Sequence, residues 1–407
     1  MSTDSVTSAS PATTRGRGGR MTPLEVRASA SLAGIFALRM LGLFLIMPVF
    51  SVFAQTIPGG NNTFLVGLAI GIYGLTQSLL YIPYGWASDR LGRKPVIIFG
   101  LIVFAIGSLV AALAHDLMWI IVGRAIQGAG AISSAVMACV ADLTSDENRT
   151  KAMAMIGGSI GVSFAVAIVC APFLYHWLGM SGLFSAIGIL AVLAIFVVLW
   201  VVPTPPVHAK AGPAPFSEVL HNPELLRLNF GVFVLHATQT ALFVAMPRML
   251  VAAGLPVAQH WEIYLPVMGL SFVAMVPAII AAEKRGKMKT VLLSAIALVA
   301  IAQAALGGLP PTVTVIAVVL FVYFLGFNVL EASQPSLVSK LAPGQRKGAA
   351  VGVYNTTQAL GLFCGGALGG YLMTHYGQNA IFLTCAAGAF VWLIIAAPMR
   401  TPAPRQS

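Results

Sequence analysis

Charged side chains are scarce in this chain. Of 407 residues only 9% are Asp, Glu, Lys or Arg, against 58% apolar. A soluble domain carries about 25% charged residues, because its surface must be solvated. A water-soluble fold of this length is therefore excluded, and with it the soluble enzymes. Acids are the scarcer sign, 12 against 23 Lys and Arg. Cysteine is rare as well. Cys139, Cys170, Cys364 and Cys385 stand singly inside apolar stretches, without the spacing of a disulfide framework or a metal site. They read as small packing residues. The sequence offers no Ser/His/Asp set and no metal-ligating cluster, so the chain is expected to be no enzyme and to need no cofactor. A signal peptide is also absent: the first apolar run is too long for one and carries Arg39.

Long apolar runs fill the rest. A membrane-spanning helix needs about 20 apolar residues. Twelve such runs occur, at roughly 29–53, 64–87, 95–114, 117–142, 151–175 and 179–202, then 226–248, 261–282, 290–308, 313–339, 349–372 and 379–398. Lipid offers no partner for backbone N–H and C=O groups, so each run must be helical. The predicted fold is an all-α membrane protein of twelve transmembrane helices in two six-helix bundles. Twenty of the 23 basic residues fall on one side of this arrangement, in the tails and in short loops such as Arg90, Arg93, Lys94, Arg149 and Lys151. Only Arg248 falls on the other side, while Arg39 and Arg124 lie within spans. Basic loops stay cytoplasmic, so both termini are expected in the cytoplasm of a multi-pass inner-membrane protein. That distribution makes the positive balance a topology signal and excludes nucleic acid as a partner.

The expected organisation is a disordered cytoplasmic tail (1–28), a first bundle (29–202), a Pro-rich cytoplasmic linker (203–225), a second bundle (226–398) and a short tail (399–407). A short surface helix is expected at Phe216 to Leu220. The halves repeat a signal: Asp89-Arg90-Leu91-Gly92-Arg93-Lys94 after the second helix and Glu283-Lys284-Arg285-Gly286-Lys287-Met288 after the eighth, 194 residues apart. Duplicated halves with a site between them near mid-membrane are a common transporter architecture.

The segment Gly85-Trp86-Ala87-Ser88-Asp89-Arg90-Leu91-Gly92-Arg93-Lys94-Pro95 closely resembles the loop signature of the major facilitator superfamily. Its physical reading is a two-state conformational latch. Gly85 permits a close helix approach, Asp89 meets cations and the positive end of a helix, and Arg93 reaches Asp142 at the end of helix four. Arg124-Ala125-Ile126-Gln127-Gly128-Ala129-Gly130 resembles a second signature of that superfamily. A charge within a span costs several kcal/mol unless it faces a cavity or a partner, so Arg124 is a candidate by default. The alternative is an arginine that snorkels to the periplasmic interface. Gly157 to Pro172 loosely resembles the antiporter signature but departs from it at Ala171 and at Tyr175-His176. Its glycines, like Gly365, Gly366, Gly369 and Gly370, also suit close helix packing.

Over helices one to twelve the chain resembles the YajR-type inner-membrane transport proteins of the drug:proton antiporter branch. Leu38-Arg39-Met40-Leu41-Gly42, Gly71-Ile72-Tyr73-Gly74-Leu75-Thr76-Gln77, Asn148-Arg149-Thr150-Lys151-Ala152-Met153 and Phe327-Asn328-Val329-Leu330-Glu331-Ala332 carry the likeness. That type can bear an extra soluble C-terminal domain. This chain is expected to lack it, ending nine residues after helix twelve. The resemblance implies an interlocking cytoplasmic charge network of Asp89, Arg93 and Asp142, and a cavity lined by helices one, four, seven and ten.

Polar residues at helical spacing supply the cavity candidates: Arg39, Tyr73 with Gln77, Arg124 with Gln127, His236 with Gln239, Asn328, and Asn355 with Gln358. Each has the alternative of an interhelical hydrogen bond. Glu331 is the only carboxylate well within a span. A group that is costly to ionise there suits a proton carrier; the alternative is a static ion pair with Arg39.

The function expected is proton-coupled efflux of a small amphipathic solute by alternating access, in a monomer, with the proton as coupling ion and the bilayer as surroundings. Two arginines and one glutamate give the cavity a formal charge of +1, which favours neutral or anionic solutes. A proton-driven uptake symporter is the alternative. A membrane-embedded enzyme or sensor lacks a catalytic set or an output domain.

Overall fold

The computed structural model describes residues 21–205, 217–342 and 347–400. Residues 1–20 of the expected tail lie outside these, with Arg15, Arg17 and Arg20, as do Lys210, Arg346 and Arg405 and residues 206–216 of the expected linker.

Helix α1 (Pro23–Phe44) begins six residues before the apolar run at 29–53, within the stretch assigned to the tail. A capping box explains the early start. Thr22 Oγ1 accepts from the Glu25 amide, the Glu25 carboxylate accepts from the Thr22 amide, and Pro23 needs no amide partner at the first turn. The same crossing continues as α2 (Met47–Phe53) after a break that puts Pro48 in a first turn, where its missing N–H costs nothing. Next come α3 (Thr63–Leu91) and α4 (Arg93–Ala112). The single run expected at 117–142 is two pieces, α5 (Leu117–Ala129) and α6 (Ser133–Asp142). The interruption lies where Gly130 touches a neighbour: a Cβ on it would sit 2.4 Å from the Gly100 carbonyl oxygen.

Helix α7 (Asp146–Trp200) is 55 residues of continuous helical hydrogen bonding interrupted by Gly179 (φ 66°). At 1.5 Å per residue such a length would be about 80 Å, far more than one hydrocarbon thickness of about 30 Å. Gly179 reverses the chain and makes it two crossings. The second half runs α8 (Ser217–Leu220), α9 (Pro223–Ala252), α10 (Trp261–Lys284), α11 (Met288–Gly308), α12 (Val313–Leu341), α13 (Lys347–Tyr376) and α14 (Gln378–Ala396). Helix α8 falls in the short surface helix expected at 216–220. Among the described residues ten helical stretches are long and apolar enough to cross a membrane. One of these crosses twice, and α13, less apolar and packed between α3 and α9, brings the crossings to the expected twelve.

Packing repeats from half to half. In the first, α1 lies on α7, α3 on α5, and α4 on α5 and α7; in the second, α9 lies on α13, α10 on α12, and α11 on α12 and α14. The backbone repeats too. All six described residues with positive φ are glycines, and they pair as Gly59 with Gly254, Gly92 with Gly286, and Gly179 with Gly377. Each pair marks the same interhelix turn. The first and last described residues lie on one face, here the tail face. There Arg27 donates to the Val201 carbonyl at 2.9 Å, and the Arg400 amide to Glu224 at 3.2 Å.

The halves meet tightly toward the opposite, far face. Helices α3 and α13 touch backbone to backbone: a Cβ on Gly67 would lie 2.1 Å from the Gly366 carbonyl oxygen, and one on Gly74 2.3 Å from that of Ala359. Small residues permit such an approach in lipid. The hydroxyls of Thr63 and Thr374 lie 2.6 Å apart, and Arg248 Nε donates to the Ser51 carbonyl at 2.9 Å. Toward the tail face Gly34, Gly157, Gly158, Gly348 and Gly352 have open space where a Cβ would project. The two halves are closed against each other at the far face.

Candidate functional site

Three polar constellations stand out. The first is the turn between α3 and α4. Gly92 (φ 93°) reverses the chain and brings Arg93 back over the end of α3. Arg93 Nε donates to Asp142 Oδ2 at 2.7 Å, and its Nη1 donates to Ser88 Oγ at 2.8 Å and to Asp89. Arg90 stacks over the Trp86 ring at 4.0 Å. A guanidinium fork holds two carboxylates from different helices, which an ammonium cannot do with the same geometry. The Asp89 side chain is 66% exposed. Its bond is to Arg93 of the same half, rather than the helix end its sequence context suggests. Gly85 also makes no tight approach here: a Cβ on it would meet Ser134 at 3.8 Å, ordinary contact.

Beside this turn sits a carboxylate that the sequence reading passed over. Glu25 accepts from the Ser145 amide at 2.8 Å and from Asn148 Nδ2 at 3.0 Å, tying the first turn of α1 to the start of α7. The capping-box spacing Thr22-Pro23-Leu24-Glu25 was the available signal.

The second constellation lies inside the first half. Arg39 and Arg124 are both fully buried. Arg39 Nη1 donates to Ser133 Oγ at 2.5 Å, Arg124 Nη1 to Gln127 Oε1 at 2.8 Å, and Gln127 Nε2 to Ser108 Oγ at 2.8 Å. The two guanidinium carbons stand 5.6 and 4.8 Å from the centre of the Tyr73 ring, within cation–π range. This corrects two alternatives: Arg124 does not snorkel to an interface, and Arg39 does not pair with Glu331. None of Arg39, Tyr73, Arg124 and Gln127 borders the two central pockets described next. Helical spacing told which of these residues share a face, but not that the face turns into the bundle.

The third constellation lies at the seam of the halves, in two adjoining pockets. One is lined by Met40, Phe44, Gln77, His236, Asn355 and Gln358 among others, and the other by Phe164, His236, Gln239, Phe327, Asn328 and Glu331 among others. His236 borders both. Its Nδ1 lies 3.1 Å from the Val232 carbonyl oxygen, which only accepts. Nδ1 therefore carries a proton, and Nε2 of the neutral ring accepts from the Gln358 amide at 2.6 Å. Glu331 Oε2 lies 3.6 Å from the same Nε2. Asn328 Nδ2 donates to Ser271 Oγ at 2.9 Å, and Gln77 Nε2 to the Tyr81 hydroxyl. Phe164 packs edge and face on Phe327, Phe324 and Phe243, with centroids 5.3 to 6.4 Å apart, and forms an apolar wall. The seam thus gathers seven of the predicted candidates, Gln77, His236, Gln239, Asn328, Glu331, Asn355 and Gln358. It adds Phe164, Phe327 and Ser271, which no polar pattern marked.

A family model described as Major Facilitator Superfamily matches residues 32–363 and 289–407. The chain is 45% identical over 388 residues to the inner membrane transport protein YajR of Escherichia coli (strain K12), covering 94% of this chain and 85% of the relative. It is 33% identical to an uncharacterized transporter of Buchnera aphidicola (subsp. Schizaphis graminum), over 92% of this chain and 97% of the relative. Among solved structures, a bacterial homolog to the human lysosomal transporter Spinster, in an inward-facing and occupied conformation, matches with a TM-score of 0.72 at 14% identity. That match covers 93% of this chain and 97% of the other, and at that identity it shows the fold. Transport proteins and not enzymes are what this chain is similar to, in a multi-pass form whose near relative sits in the inner membrane. With the repeated six-helix halves and the latch signature between α3 and α4, this places the chain in the Major Facilitator Superfamily.

Proposed function

We propose that this protein is a proton-coupled efflux antiporter of small amphipathic solutes, with the tail face cytoplasmic. The positive-inside bias supports the orientation, which makes the closed far face periplasmic. The observation that carries the proposal is the seam: Glu331, within a span, stands 3.6 Å from the neutral His236, which Gln358 of α13 holds by a hydrogen bond. An acid in a water-poor pocket beside a neutral imidazole has a place to keep a proton and a neighbour to pass it to. Protonation removes the one fixed negative charge of the pocket, so the proton load of Glu331 changes the surroundings that a solute meets there. Asp89, Arg93 and Asp142 act as the latch: Arg93 stays clamped within the first half, and the exposed Asp89 is available to the N-terminus of α13 when the tail face closes.

The test is solute flux in proteoliposomes with and without an imposed pH gradient. Native protein is expected to accelerate efflux about tenfold when protons run inward, and Glu331→Gln to abolish that acceleration. Unchanged gradient dependence in the variant removes Glu331 from its role. The sign of the accompanying pH change separates antiport from symport.

A further inference from the structure

The buried arginines of the first half remain unused by this proposal. Arg39 on α1 and Arg124 on α5 converge on one ring, that of Tyr73 on α3. Each guanidinium spends one nitrogen on a neutral acceptor, Ser133 or Gln127. Nε and Nη2 of both, and the Tyr73 hydroxyl, are buried and have no hydrogen-bond partner among the described residues. No carboxylate of the described residues makes an ion pair with either arginine. Two uncompensated cations in a lipid-embedded bundle are expensive, and cation–π contact with a shared ring returns only part of the cost. The remaining fork donors match a planar anion, which a guanidinium binds through two parallel N–H bonds. One helical turn along α3 from Tyr73 stands Gln77, and next to Arg39 stands Met40. Both border the first central pocket, whose other lining includes Leu43, Phe44 and Leu362. The cationic cluster therefore backs onto a chamber with both apolar and neutral polar lining.

We infer that Arg39, Arg124 and Tyr73 form the subsite for the anionic end of the solute, and that the transported class is a carboxylate or sulfonate carrying an apolar body. This rests on the transport reading above and names its substrate class. The apolar body occupies the seam beside Phe44 and Leu362. The anion takes the free Nε and Nη2 donors when the first half loosens around α3.

The test compares three probes with the same ring, 1-naphthoate, 1-naphthamide and 1-naphthylmethylammonium, in equilibrium binding to purified full-length protein. Naphthoate is expected to bind at least about tenfold tighter than the amide, with the ammonium weakest, as charge-assisted bidentate contacts predict. Arg39→Gln and Arg124→Gln are each expected to remove that preference and leave naphthamide binding within about twofold. Arg124→Lys keeps the charge without the fork and should restore only part of the preference. The lysine variant serves where a glutamine variant is not monodisperse. Naphthoate binding no better than naphthamide, absence of binding by all three, or a preference that survives both glutamine variants would each overturn the subsite. Gradient-driven flux of naphthamide through native protein that shows no anion preference overturns the subsite while sparing the transport reading. Loss of gradient dependence with anion binding intact does the reverse.

Discussion

At the residue scale the chain spends its few carboxylates with care, and Glu25 shows how. Its two oxygens accept from Thr22, Ser145 and Asn148, so one side chain caps a helix and joins two helices. Glu25→Gln turns an acceptor into a donor facing donors. A buried donor left without its partner costs about 1–3 kcal/mol, so the variant should unfold several degrees lower in detergent. Glu147→Gln, at an exposed position of the same loop, should leave the midpoint where it was. Equal midpoints for native and Glu25→Gln protein would show that the cap contributes nothing. The same scale marks the limit of sequence reading. Arg39 and Arg124 were visible as charges in spans, and the need for partners followed from their cost. Their turn onto Tyr73 did not, because rotation of a helix within a bundle depends on neighbours far away in the chain.

At the scale of elements, the close pairing of α3 with α13 holds the far face shut. Gly67 and Gly74 meet carbonyls of α13 at distances no Cβ tolerates. Gly67→Leu is therefore expected to pry this pair apart and favour the opposite arrangement. The readout is disulfide formation in Thr63→Cys/Thr374→Cys protein, whose native hydroxyls lie 2.6 Å apart. Cross-linking should be fast in the Gly67 background and slowed about tenfold or more by Gly67→Leu, as small-residue interfaces in membranes predict. Equal rates would deny the pairing its gating part. The helices themselves were legible because length and hydropathy fix a span locally. Their breaks were not. The gap between α5 and α6 answers to Gly100 across the bundle, and the meeting of His236, Gln358 and Glu331 joins three helices that no periodicity connects.

At the scale of the whole molecule, two matched halves press together at one face. The repeated Asp-Arg-x-Gly-Arg and Glu-Lys-x-Gly-Lys turns announced this doubling in the sequence. The latch was legible to the same extent: Arg93 does reach Asp142, as its position required, while the bond from Asp89 stays within its own half.

The paired left-handed glycines carry a consequence for how this protein came apart from its ancestor and how it melts. Gly179 and Gly377 occupy equivalent reversals, and neither has a neighbour within reach of an added methyl group. Alanine at either place therefore costs backbone geometry alone, about 1–3 kcal/mol at positive φ with ψ near 180°. Gly179→Ala and Gly377→Ala should then lower the melting midpoint by matching amounts, and unequal shifts would mean the two bends have diverged in more than sequence. If the shifts match, calorimetry would register an ancient gene duplication that the intervening side chains have largely erased.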